Sequence, residues 1–181
     1  IGLEIPENQM IKFGVGQSVT RVEDQRLLTG TGRYADDVNL DGQAYAYFIR
    51  SPHAHALIKN IDSETARRAP GVLAVYTIED VDADELDQIR TLVPVANRDG
   101  SDMVQPDYPL LTRGRVKHVG NMVALVIAET EVAARDAADE VMIDYESLPA
   151  AIDTVGAAQA GAPLVWDEAP GNICFDAAKG D

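Results

Sequence analysis

The stretch RVKHVGNMVALVIAETEVAARDAADEVMIDYES, residues 115–147, does most to limit what this chain can fold into. Its first part, through Glu129, is a long apolar run and reads as one buried strand. The middle part, TEVAARDAADE, is rich in alanine, and Thr130 stands where a helix N-cap belongs. Ala134, Ala137, Ala138 and Val141 recur at helical spacing, which gives that helix one apolar face of small side chains. The last part alternates Val141, Ile143 and Tyr145, the period of a strand. Strand, helix and strand in succession must share a buried face, so the chain is expected to be layered and mixed α/β.

The same order occurs upstream, without a repeat at the level of residues. QAYAYFIRS predicts a strand with Tyr45, Tyr47 and Ile49 on one face and Ala44, Ala46 and Phe48 on the other. Both faces are apolar, which predicts a central place in the sheet. HALIKNID follows as a second strand, SETARRAPG as a short helix opening near Asp62 or Ser63 and closed by Pro70-Gly71, and VLAVYTIED as a third strand. Nearer the start, Thr20 and Glu23 in TRVEDQRLL fit a capping box for a short helix that GTG at 30–32 would stop. DADELDQIR predicts an acidic helix. TLVPVANRDGSDMVQPDYPLL, with Pro94, Pro106 and Pro109, reads as a long loop, and loops of that length inside a domain are usually functional or disordered. The expected organisation is an extended arm over residues 1–17, a main domain over 18–153 and a linker rich in Ala, Gly and Pro over 154–181.

Composition narrows the function classes. With 15 Lys+Arg against 30 Asp+Glu, the formal charge of -15 argues against nucleic acid and anionic membrane surfaces as partners. No apolar run approaches the roughly 20 residues that span a bilayer, and IGLEIPENQM lacks the features of a signal peptide, so a cytoplasmic protein is expected. Cys174 is the only cysteine, so this chain alone makes no disulfide and supplies no iron-sulfur cluster or cysteine-based zinc site.

His53 and His55 would share a face if their segment were a strand, but a metal needs at least a third ligand, and the spacing of His118 recommends nothing. Local structural roles are expected for them. The pairs Gly14/Gly16 and Gly30/Gly32 lack the strand, third glycine and helix of a dinucleotide fingerprint. Asp36, Asp37 and Asp41 flank a glycine turn rather than forming a calcium loop. No serine lies in a GxSxG elbow. On its own chemistry the chain reads as a scaffold.

Three stretches taken in order carry a resemblance: VGQSVTRVEDQRLLTGTGRYADDVNLDGQAYAYFIRSPHAHALIKNID, APGVLAVYTIEDV and VKHVGNMVALVIAETEVAARDAADEVMIDYESLPAAID. They resemble the start of the molybdenum-containing large subunit of the xanthine dehydrogenase, aldehyde oxidase and carbon monoxide dehydrogenase superfamily. RYADD, RSPHAHALIKNID and DYESLPAAID are its most specific landmarks. The resemblance implies an α+β fold, the hammerhead-like domain of that family, with SPHAHA as structural strand sequence that supplies no ligand to molybdenum. It also implies that the molybdopterin-binding segments and the catalytic Glu follow this domain. The chain is then an N-terminal fragment, expected to bind no cofactor and to be inactive alone.

The complete enzyme would hydroxylate or oxidise a small substrate with water-derived oxygen at molybdenum, passing electrons through [2Fe-2S] clusters to FAD. With no cysteine-rich or flavin domain upstream, the resemblance implies a separate small iron-sulfur subunit and a medium FAD subunit as partners. In the purine-oxidising members an apolar pair before the corresponding strand lines the channel to molybdenum. Counting back from Val119-Gly120 places that pair at Val104 and Gln105, of which only Val104 is apolar. Purine, aldehyde, carbon monoxide and N-heterocycle enzymes share these landmarks, so they do not choose a substrate. The alternative reading is a free-standing binding or assembly module with the hammerhead fold and no chemistry.

Overall fold

Residues 20–180 are described by a computed structural model, and the arm expected over residues 1–17 lies outside them. The chain divides into two units between Asp41 and Gly42. In the first, helix α1 spans Asp24–Leu28. Its N-cap is Glu23 and not Thr20, because the Asp24 N–H closes a turn on the Arg21 carbonyl (3.2 Å) and delays the first helical residue. The predicted stop is present. Gly30 has φ 71°, its N–H reaches the Leu27 carbonyl at 3.2 Å, and the Thr31 N–H reaches that of Arg26 at 2.9 Å. This pair of bonds is the Schellman ending that a residue without Cβ permits. Asp36 and Asp37 lie in a single 3-10 turn, where Asp37 Oδ2 accepts the Tyr34 N–H at 2.8 Å.

In the second unit the elements run β1 (Tyr45–Arg50), β2 (Ala56–Asp62), α2 (Glu64–Arg67), β3 (Val72–Tyr76), α3 (Ile78–Ala83), β4 (Arg115–Val116), β5 (Met122–Ala128), α4 (Glu131–Asp139), β6 (Met142–Ser147) and α5 (Thr154–Ala157). They form two antiparallel three-stranded sheets with orders β1-β5-β3 and β4-β2-β6. The run 115–129 is therefore two strands in two sheets. Gly120 (φ 85°) turns the chain between them, and Asn121 Oδ1 holds the turn by accepting the N–H groups of Lys117 (2.8 Å) and His118 (3.2 Å). β5, apolar throughout, takes the centre of its sheet, and β1 lies at an edge. A strand apolar on both faces need not be central when one of those faces is left uncovered.

α4 packs on the first sheet as its spacing predicts. Thr130 Oγ1 accepts the Ala133 N–H at 3.1 Å. Ala134, Ala137, Ala138 and Val141 are buried against Ala66, Val75, Val126 and Ala128. Full burial of each of these valines contributes about 1.5–3 kcal/mol. Gly71 sits where the turn before β3 meets α4: its φ is 78°, and a Cβ there would stand 3.4 Å from that of Ala133.

The acidic helix expected over residues 82–90 begins earlier, as α3. Asp80 Oδ2 accepts both the N–H (2.7 Å) and the Oγ1–H (3.1 Å) of Thr77, which starts the helix there, and Glu85, at φ 53°, follows its end. Arg67 Nη2 donates to the same carboxylate oxygen at 3.0 Å.

Two outcomes follow from this packing. Ala137→Leu is expected to overpack the seam and cost about 1–3 kcal/mol in chemical denaturation, whereas Val132→Leu, at a position 69% exposed on the same helix, leaves the midpoint unchanged. Asp80 is pushed up by partial burial, but the bonds from Thr77 and Arg67 outweigh this and hold its carboxyl below the ordinary value. A depressed folded pKa contributes stability above the unfolded value and loses it as pH falls through the folded one. Asp80→Asn should therefore flatten the loss of stability below about pH 4, measured as denaturation midpoint against pH.

Candidate functional site

The histidines have local partners. His53 and His55 lie in the connection between β1 and β2, not in the strand itself. Ser51, buried at the end of β1, accepts the His53 N–H on Oγ at 3.0 Å, and its own N–H donates to the Asn121 carbonyl at 2.9 Å. The His53 ring packs on Tyr145 at 4.8 Å, with Nδ1 3.3 Å from Ser147 Oγ. Burial pushes the Tyr145 phenol up, offset in part by the Ser51 hydroxyl. His55 Nδ1 lies 2.6 Å from the Pro149 carbonyl oxygen and His118 Nδ1 lies 2.9 Å from that of Val119. Among the described residues no three His, Cys, Asp or Glu side chains group so that they hold a metal. No residue described here is assigned as a ligand to a metal ion or an iron-sulfur cluster.

The long loop after α3 is held down by the C-terminal segment. The Val104 N–H donates to the Cys174 carbonyl (2.8 Å), the Arg98 N–H to that of Asp176 (2.8 Å), and the Asp176 N–H to Asn97 Oδ1 (2.9 Å). An Arg98–Asp176 ion pair at 3.0 Å reinforces the seam. Between the two segments lies a cavity of ≈ 400 Å³ whose walls include Ile89, Met103, Val104, Tyr108, Trp166 and Cys174. Val104 is half-buried in its wall and Gln105 is exposed at its rim.

A second cavity of ≈ 390 Å³ shares Gln88 and Tyr108 with the first and carries Arg113, Arg115 and Lys117. The Lys117 ammonium stands 5.0 Å above the Trp166 ring. Burial pushes its pKa down, and Glu168 works in the opposite direction. Together the walls supply shape, an aromatic plane and a cation. They contain no nucleophile paired with a base.

Sequence reasoning located Val104 and Gln105 on the loop but missed Trp166 and Cys174, read as part of a linker. The signal was a lone tryptophan within a stretch of Ala, Gly and Pro. Asn172 is what folds that stretch. At φ 56°, its Oδ1 accepts the Val165 N–H (2.8 Å) and its Nδ2 donates to the carbonyls of Ala157 and Pro163 (2.9 Å each).

Two antiparallel sheets, one backed by an alanine-faced helix and both continued by irregular segments that enclose cavities, define a mixed α/β domain of hammerhead type. Residues 29–149 match the family described as "Aldehyde oxidase and xanthine dehydrogenase, a/b hammerhead domain", and the chain belongs to that family. It is homologous to molybdenum-binding large subunits of the xanthine dehydrogenase, aldehyde oxidase and carbon monoxide dehydrogenase superfamily. It is 39% identical over 159 residues to the nicotine 6-hydroxylase large subunit of Paenarthrobacter nicotinovorans, a match covering 88% of this chain and 19% of that one. It is 38% identical over 155 residues to the carbon monoxide dehydrogenase large chain of Afipia carboxidovorans, covering 86% and 18%. The solved structure of quinoline 2-oxidoreductase from Pseudomonas putida 86 superposes with a TM-score of 0.66 at 40% identity, covering 78% of this chain and 17% of that one. The chain thus spans less than a fifth of the length of these relatives.

Asn172→Ala removes three hydrogen bonds from a half-buried side chain, at an expected cost of about 1–3 kcal/mol. It should also release Trp166, the only tryptophan, into water. A red shift of the tryptophan emission below the global unfolding transition is the readout; unshifted emission would show that Asn172 does not hold the segment.

Proposed function

We propose that this chain is the N-terminal hammerhead portion of a molybdenum hydroxylase large subunit, and that its loop cavity forms part of the wall along which a small substrate reaches the cofactor. The observation that carries the second part is the position of Val104. It lies on the predicted loop, half-buried in a cavity that also presents Trp166 and Tyr108. A wall of this kind acts by fit, accepting or excluding a shape, and contributes no reacting group.

In the complete enzyme, molybdopterin would be held by parts of the subunit outside this chain and would supply the oxidation or hydroxylation of the substrate with oxygen from water. A small [2Fe-2S] subunit and a medium FAD subunit are the partners this reading calls for. The residues of this chain would orient the substrate and exclude solvent from its apolar side. The names of the relatives include nicotine, quinoline and carbon monoxide, molecules of very different size. Gln105, at the rim where purine-oxidising enzymes carry a second apolar residue, supports an opening of different polarity from theirs.

In the complete enzyme, Val104→Phe is expected to raise KM or change the preference among substrates of different size while leaving molybdenum content unchanged, because a narrowed wall acts through steric fit. Wild-type kinetics across the size series would remove Val104 from the route. The wider reading is tested by the reading frame: molybdopterin-binding segments beyond Asp181 support it, and a stop codon there sinks it.

A further inference from the structure

Asp-Gly occurs twice in this chain, at Asp41-Gly42 and at Asp99-Gly100. In that dipeptide the glycine nitrogen can close on the aspartate side chain, because no Cβ shields its approach. Both pairs lie in exposed turns, and both glycines have positive φ, 76° at Gly42 and 84° at Gly100. Exposure and backbone conformation therefore do not tell the pairs apart. Hydrogen bonding does.

Asp99 and Gly100 are both held. Asp99 Oδ1 accepts the Ser101 N–H at 2.9 Å and the Ser101 Oγ–H at 2.7 Å. These bonds keep the Asp99 carboxyl below its ordinary value, so it stays ionised, and a carboxylate has no good leaving group to lose. The Gly100 N–H donates to the Asn97 carbonyl at 2.9 Å. Asn97 is fixed in turn: its Nδ2 donates to Ser101 Oγ and to the Asp102 carbonyl at 3.0 Å each, and its Oδ1 accepts the Asp176 N–H. Ring closure at Asp99 must first break these bonds.

Nothing comparable holds Asp41. Among the described residues neither its carboxylate nor the Gly42 N–H takes part in a hydrogen bond or ion pair. Beyond its chain neighbours, no heavy atom lies within 4 Å of where a Cβ on Gly42 would stand. An aspartate beside a glycine turn ordinarily caps a local donor, as Asp99 does. Asp41 caps none.

We infer that Asp41 is a site of spontaneous isomerisation to isoaspartate, and that Asp99, in the same dipeptide, is not. The Gly42 nitrogen adds to Cγ of the neutral Asp41 acid. The new C–N bond closes a cyclic imide, and the carboxyl hydroxyl leaves as water with the amide proton. Water then adds to one of the two imide carbonyls. Addition at Cγ restores aspartate, whereas addition at the main-chain carbon leaves Asp41 joined to Gly42 through Cγ with its α-carboxylate free. One water leaves and one enters, and nothing is oxidised or reduced. The product carries an extra backbone carbon in the connection that leads into β1 at Tyr45. Its free α-carboxylate is the group that a carboxyl methyltransferase specific for isoaspartate takes as substrate. The inference is independent of the function proposed above.

The test ages the complete polypeptide that carries this chain, with any subunits that purify with it, at neutral pH in heavy-oxygen water. Isoaspartate is mapped by electron-transfer fragmentation, which separates it from aspartate of equal mass, and the heavy oxygen records passage through the imide. Labelled isoaspartate is expected at position 41, exceeding that at 99 by about tenfold or more, the rate equivalent of breaking one hydrogen bond to a charged group. In urea, with the fold lost, the two positions are expected to label alike. Ser101→Ala should raise the label at 99 and leave that at 41 unchanged. Asp41→Glu, whose longer side chain closes the ring far more slowly, should remove the signal at its position. Equal label at 41 and 99 in the native protein overturns the inference, as does no label at 41 over an interval in which the unfolded protein labels. The same preference for 41 in urea would assign it to sequence rather than to the fold, and overturns it too. The comparison of native and unfolded protein needs no variant, so it decides the matter even where Ser101→Ala fails to fold.

Discussion

Ala134, Ala137 and Ala138 let the backbone of α4 settle directly on β5, and that contact decides which side of the first sheet is inside. Larger side chains would hold the helix off, and the turn at Gly71, which meets Ala133 at 3.4 Å from a notional Cβ, would have no place. Because α4 also leads through the buried Val141 into β6, the same contact places the second sheet: β6 pairs along β2 from Ser147 to Met142, and Ile61 and Ile143 pack against the edge of the first core. One helix thus sets the relation between two sheets that share no strand pairing.

The cavities follow from what that arrangement leaves out. α3 ends soon after β3, and the chain travels from Asp84 to Arg115 without a regular element. A segment of that length has few partners for its backbone groups unless another segment supplies them. Residues near the C-terminal end of the described chain do so, through Cys174 and Asp176, and Arg115 returns the contact in its ion pair with Asp167 at 3.0 Å. The loop wall is therefore built by two stretches that meet only in three dimensions, and its shape depends on the Asn172 fold in one of them.

This explains which features were legible from sequence. α4 and its Thr130 cap depend on residues three and four apart, and the period shows them. β2 and β6 likewise lie close to where the sequence puts them, whereas the strand expected over VLAVYTIED ends at Tyr76, because Thr77 caps α3 and turns its last residues into helix. The split of residues 115–129 was hidden, since apolar composition continues across it and only Gly120-Asn121 marks the turn. The edge position of β1 was hidden for another reason: strand order is set by long-range pairing, and an apolar face looks the same in sequence whether this chain covers it or something else does. The acidic helix was misplaced because Asp80, acting as a capping acceptor, outcompeted the denser acidic run that follows. At the candidate site, the resemblance pointed to Val104, while Trp166, which lines the same cavity, comes from a distant segment that no local pattern ties to the loop.

The distribution of charge bears on what the cavity wall can admit. A chain of net charge -15 presents a field that disfavours anions over most of its surface. Arg113, Arg115 and Lys117 gather beside the loop cavity, yet Arg113 is paired with Asp82 and Arg115 with Asp167. Lys117 is the exception in kind: it lies over the Trp166 ring, partly desolvated, with Glu168 as an electrostatic counterweight rather than a bonded partner. A cation held by an aromatic face keeps an attraction for a neutral, polarisable molecule or a hydrogen-bond acceptor without creating an anion site. The apolar side chain of Val104 and the cation of Lys117 thus belong to two adjoining cavities that share Gln88 and Tyr108.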